Sequence, residues 1–145
     1  MKKLQVFISY SGRDAFEASL LQYAIESILS KEGVTAWTFQ RDQALSEKEI
    51  ARSLKDGVND SFVSIFLVSP DTLESGTTQW MELAYADAFD VVTFVLLHHL
   101  KFDDLRQRAG VPPLLLSSQC NLASDWKSVI ESIRKLAKAR KLRRK

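Results

Sequence analysis

Apolar and polar positions alternate along this chain in two distinct periods. Five short, β-rich apolar runs recur, Leu4 to Tyr10, Val34 to Phe39, Phe62 to Ser69, Val91 to Leu97 and Leu114 to Ser117, with helical patterns between them. The first helix is expected to start at Asp14, capped by its carboxylate with Glu17 reaching back, and to turn Phe16, Leu20, Leu21, Ala24, Ile25 and Ile28 inward until Gly33 ends it. Ser46 and Glu49 repeat the capping box, and Ile50, Leu54 and Val58 fall four apart on a second helix that closes near Gly57. A third helix is expected from about Thr78 to Phe89 and a weaker fourth from Phe102 to Ala109. Pro112-Pro113 then breaks the chain, and Ser124 caps a final helix that buries Trp126, Val129, Ile130, Ile133, Leu136 and Ala137.

Near-continuous apolar strands separated by helices argue for a parallel sheet covered on both faces. The spacing predicts an α/β, flavodoxin-like three-layer fold, with a five-stranded parallel sheet in order 2-1-3-4-5. Ligands in such sheets bind beyond the carboxyl ends of the strands, where the strand order reverses. Here that point lies between strands one and three. Tyr10, Ser11, Gly12 and Arg13 follow strand one, Gln40 to Ser46 follow strand two, and Ser69 to Gln79 follow strand three. Glu82 falls in the first turn of the next helix, at the same edge, where the helix dipole is expected to keep it ionised.

Size and charge narrow the picture. A chain of 145 residues, 46% of them hydrophobic, can bury one core without staples. Residues 1–138 are expected to form a single domain and 139–145 a basic C-terminal tail. From Arg134 to Lys145 there are eight Lys/Arg and no acid, whereas residues 1–133 carry twelve Lys/Arg against eighteen Asp/Glu. No aromatic side chain interleaves the basic end, so no nucleic-acid partner is expected, that tail apart. No apolar run reaches the ~18 residues that would span a bilayer, and Cys120 is the lone cysteine. A cytoplasmic protein without membrane contact is expected. No metal site is expected either, since no Cys/His group has ligand spacing.

Several chemistries lack their residues. A receiver domain would need an acidic pair after strand one and a phosphorylatable Asp ending strand three, where Ser9-Tyr10-Ser11 and Ser69-Pro70 stand. Neither G-x-G-x-x-G nor G-x-x-x-x-G-K-[ST] is present. His98 and His99 have no nucleophile in a recognisable context and, as neighbours on a strand, are expected to point to opposite faces in structural roles.

Two strings carry a family likeness. Phe7-Ile8-Ser9-Tyr10-Ser11 closed by Asp14, and Ile65-Phe66-Leu67-Val68-Ser69-Pro70 followed by Trp80 and Glu82-Leu83, together resemble the Toll/interleukin-1 receptor (TIR) domain family, in its prokaryotic NAD-cleaving form. The likeness covers roughly residues 3 to 138. Ser46 stands where the family usually has Gly, and Trp80 precedes Glu82 by two residues where four are usual.

The resemblance implies a NAD glycohydrolase or cyclase that releases nicotinamide and ADP-ribose or a cyclic isomer, in a prokaryotic immune or signalling setting. NAD is then substrate, and no cofactor is needed. It implies Glu82 as the catalytic carboxylate, with Tyr10, Ser11, Gly12 and Arg13 along the ribose and diphosphate, and Phe39 and Trp80 as faces for nicotinamide. Arg41 and Asp42 would belong to a loop that gates the pocket or joins a neighbouring protomer in a TIR–TIR homo-oligomer. The alternative within the family is a non-catalytic scaffold, and a nucleoside deoxyribosyltransferase-like enzyme would share the glycosidic chemistry.

Overall fold

The computed structural model describes residues 3–38, 55–75, 77–108 and 110–144. Strand β1 (Lys3–Ser9) leads through a 3-10 turn (Gly12–Asp14) into α1 (Ala15–Ile28), and β2 (Thr35–Thr38) follows. Residues 55–60 are helical and run directly into β3 (Ser61–Val68). Then come α2 (Pro70–Ser75), α3 (Thr77–Ala88), β4 (Val92–Leu97), α4 (Phe102–Arg106), α5 (Pro113–Leu116), β5 (Gln119–Leu122) and α6 (Trp126–Arg144). The five strands are all parallel in the order β2-β1-β3-β4-β5, as the sequence pattern requires.

Strand β3 sits at the centre, and all of its residues are buried, which is why it reads as an unbroken apolar run. Its side chains alternate between two cores. Val6, Ile8, Ile65, Leu67 and Leu96 pack against Ile25 of α1 and Ile130 and Ile133 of α6. On the other face, Phe7, Phe66, Val68 and Val95 meet Leu83 and Ala86 of α3, with Leu105 and Leu115. Trp37 stacks on Phe7 at 5.2 Å between ring centroids. No helix among the described residues is long and apolar enough to cross a membrane.

Three local expectations are corrected. Leu114 to Leu116 form the helix α5, behind the two prolines, and the fifth strand is Gln119–Leu122 instead. Pro at the first helical position is preorganised for helix, and that preference wins over the apolar run. On α1 the buried face is Ala18, Leu21, Gln22 and Ile25, whereas Phe16 and Leu20 are 71% and 55% exposed. The Asp14 carboxylate caps nothing, because it is engaged by hydroxyls described below. The capping box at Ser46 and Glu49, with Ile50 and Leu54, lies outside the described residues.

Candidate active site at the carboxyl edge of the sheet

Strand β1 ends on Ser9, whose side chain lies on the Phe7 side of the sheet and so faces α3. Its hydroxyl donates to Oε1 of Glu82 at 2.9 Å. Glu82 lies in the second turn of α3, not the first, and is only 5% exposed. The dipole acts mainly within the first turn, so it gives this carboxyl little support. Burial therefore dominates and pushes its pKa up to about 8, against the lowering effect of the Ser9 hydrogen bond. The expectation of a permanently ionised Glu82 is corrected on that ground. Among the described residues no cation pairs with it.

The turn after β1 is stitched to the segment after β3 through Asp14. This carboxylate is 4% exposed and accepts the Ser11 hydroxyl at 3.1 Å and the Ser69 hydroxyl at 2.5 Å, both on Oδ2. Arg13 extends into solvent, its side chain 88% exposed, with Nε 3.7 Å from Asp71 on α2 and its backbone N–H donating to the same carboxylate at 3.3 Å. Hydrogen bonding from Ser11 and the Arg13 backbone holds the Asp71 carboxyl below its usual range. Gly12 is exposed at the start of the turn. Tyr10 packs against the α1/α6 core, across the sheet from Glu82, and Trp80 is half-buried against the α3 core. The turn residues Ser11 to Arg13 are thus brought together with Asp14 and Asp71, while Glu82 pairs with Ser9. Phe39, Arg41 and Asp42 lie outside the described residues.

Ser9 and Gln79 were not singled out from the sequence. For Ser9 the signal was available: it shares the parity of Phe7 on β1, and a buried hydroxyl needs a partner on that face. Gln79 donates through Nε2 to the Leu67 carbonyl at 3.0 Å, and its buried Oε1 has no hydrogen-bond partner among the described residues. Nothing in its spacing marked it. His98 follows the end of β4, so the strand rule does not govern it. His99 turns back with φ of 59°, the two rings come to 4.0 Å, and His98 Nε2 lies 3.2 Å from Glu17 Oε2. With Asp14 these two make the one group of metal-capable donors found among the described residues.

Residues 6–112 match the family model described as "TIR domain". No curated protein matches the sequence. Among solved structures, a 2-desoxiribosyltransferase from Leishmania mexicana superposes with a TM-score of 0.67 at 13% identity, over 90% of this chain and 97% of that one. The TIR domains of the activated Roq1 resistosome, which directly recognizes the pathogen effector XopQ, give 0.56 at 18% identity, over 92% of this chain and 83% of theirs. A 2-deoxyribosyltransferase from the psychrotolerant bacterium Bacillus psychrosaccharolyticus gives 0.58 at 11%, over 87% and 90%. At these identities the three likenesses establish the fold.

Proposed function

Because this chain belongs to the TIR domain family, whose model spans residues 6–112, we propose that it cleaves the nicotinamide–ribosyl bond of NAD, with Glu82 as the catalytic carboxylate. The observation that carries this reading is the Ser9–Glu82 pair: one buried carboxyl without a cation partner among the described residues, beside the point where strand order reverses.

The chemistry asks for little more. Nicotinamide is a pyridinium in NAD, so it takes the bonding electron pair and leaves neutral without needing a proton. The barrier lies in positive charge growing on the ribose, which an anion in a water-poor site stabilises. Two carboxyls serve an ordinary glycosidase because its leaving alcohol must be protonated, and that demand is absent here. Water then captures the ribosyl cation, and its surplus proton goes to solvent, leaving ADP-ribose. Capture by an atom of the same molecule gives a cyclic isomer. A carboxyl with a pKa near 8 is mostly neutral at pH 7, so the approach of the cationic pyridinium ring must draw its proton off before it can act.

The Ser11–Arg13 turn would meet the ribose and diphosphate, with Arg13 as the charge partner, and Trp80 would offer a face to the nicotinamide. By the family resemblance Phe39, Arg41 and Asp42, which lie outside the described residues, would contribute to the pocket wall and its loop. Activity would rise with self-association through TIR–TIR contacts, in a prokaryotic immune or signalling setting inside the cell.

Incubation of the pure protein with NAD, followed by measurement of free nicotinamide, tests the reading. Release that Glu82→Gln eliminates supports it, and no release at any protein concentration sinks it. A scaffold without catalysis is the second reading, favoured by the exposed apolar residues Phe16, Leu20 and Tyr23 on α1. Base exchange on deoxynucleosides without NAD cleavage would instead point to the chemistry named for the two transferase structures.

A further inference from the structure

On the α1/α6 side of the sheet, away from Glu82, Asp14 and Glu17 stand three residues apart where the 3-10 turn enters α1, so both carboxylates reach the same side. His98, just past β4, meets them there. Glu17 Oε2 is 3.2 Å from His98 Nε2, and the three donor atoms of Asp14, Glu17 and His98 all lie within 4.8 Å of one another. From this juxtaposition we propose that Asp14, Glu17 and His98 form a binding site for a divalent transition metal, with an open coordination position beside the apolar cleft between α1 and α6.

Donor spacing supports it. A metal at about 2.1 Å from each ligand needs its donors about 3 to 3.5 Å apart. The Glu17–His98 pair already meets that separation, and no pair of the three donors is more than 4.8 Å apart, within reach of small side-chain adjustments.

The surroundings orient the ligands as bound metals require. Both hydroxyl donors to Asp14, from Ser11 and Ser69, bind Oδ2, which leaves Oδ1 without a hydrogen-bond partner among the described residues. Such outer hydrogen bonds fix a ligating carboxylate. His98 is anchored by its backbone N–H, which donates to the Val68 carbonyl at 2.8 Å. The positive end of α1 opposes a cation, but that dipole amounts to about half an elementary charge against two nearby carboxylates.

One imidazole nitrogen and two carboxylate oxygens suit Zn²⁺ or Mn²⁺ better than Ca²⁺ or Mg²⁺, which prefer all-oxygen shells. Three protein ligands leave a position open. Glu17 and His98 also line a cavity of about 280 Å³ whose other walls include Leu21, Leu67, Leu96 and Trp126. An exogenous donor carried on an apolar body could reach the metal from there.

Co²⁺ titration of the full chain, free of any histidine tag and followed by visible absorption and equilibrium dialysis, tests the site. One equivalent is expected to bind and to be displaced by Zn²⁺. Glu17→Gln and His98→Gln, both at partly exposed positions that tolerate substitution, should each weaken binding about tenfold or more, while His99→Gln leaves it unchanged. No stoichiometric uptake of either metal, uptake that both variants retain, or uptake carried by Cys120 and read as thiolate charge-transfer absorption would each overturn the proposal.

Discussion

Ser9 and Glu82, 73 residues apart in sequence, share a 2.9 Å hydrogen bond that ties the end of β1 to the second turn of α3. It is the one interaction found to pull the Glu82 pKa down against burial, which lifts it to about 8. If the carboxylate is the reactive form, kcat/KM for NAD cleavage rises tenfold per pH unit below that value and levels off above it. In Ser9→Ala the proton is held more tightly, and the inflection moves up by about one pH unit. Nicotinamide release measured across the pH range checks both. A flat profile from mildly acid to mildly alkaline pH would detach Glu82 from the reaction.

Stability supplies a test that needs no substrate. The ordinary value for Glu82 is 4.5, and the folded chain raises it to about 8. Below the lower value both folded and unfolded chains hold the proton. Between the two, the unfolded chain releases it and the folded chain keeps it, so stability falls as pH rises through that window and is flat above it. Glu82→Gln removes this slope. Its stability advantage over the parent chain should grow between about pH 4.5 and about pH 8, by a few kcal/mol at most, and appear as a widening Tm difference. Parallel melting curves for the two proteins across that range would show that the carboxyl is not buried as described.

The strands were legible where burial is two-sided. Central β3 has no polar face to obscure it, and β1 announces itself by ending in Ser9-Tyr10-Ser11. The edge strand β5 was not legible, because Gln119 to Leu122 is half-exposed and pairs with β4 alone, whereas the stronger apolar run just before it is helix. The inward stripe of α1 was misjudged for a related reason: Phe16 and Leu20 share helical spacing with core residues, and spacing alone cannot say which face meets the sheet. At the site, Glu82 was identifiable as an acid near a helix start. Its protonation was not: even from a start at Thr78, Glu82 is the fifth residue of the helix and past the first turn, so burial, which the spacing does not reveal, governs it rather than the dipole.

Arg13 offers a separation of binding from folding. Its side chain is almost fully exposed, and its 3.7 Å approach to Asp71 is the screened kind of ion pair that contributes little. Arg13→Ala should leave the Tm unchanged. If the guanidinium meets the NAD diphosphate, the same variant raises KM by about tenfold with kcat nearly preserved, and the difference between variant and parent narrows at high salt. Equal KM values at low ionic strength would place the diphosphate elsewhere.

Gly57 marks a packing limit behind the site. A Cβ there would stand 3.2 Å from Cζ3 of Trp37 and 3.3 Å from Cε3 and Cη2. The backbone has little room to retreat, because the Gly57 carbonyl accepts the Ser61 hydroxyl at 2.7 Å and the Gln5 side-chain amide at 3.3 Å. The indole is restrained in turn by its stacking on Phe7. Gly57→Ala gains up to about 1 kcal/mol of helix propensity over residues 55–60, yet overpacking costs about 1–3 kcal/mol. Net destabilisation by about 1 kcal/mol is expected, with altered tryptophan fluorescence as the ring shifts. Urea unfolding measures the first, and a more stable variant would mean that Trp37 moves aside freely.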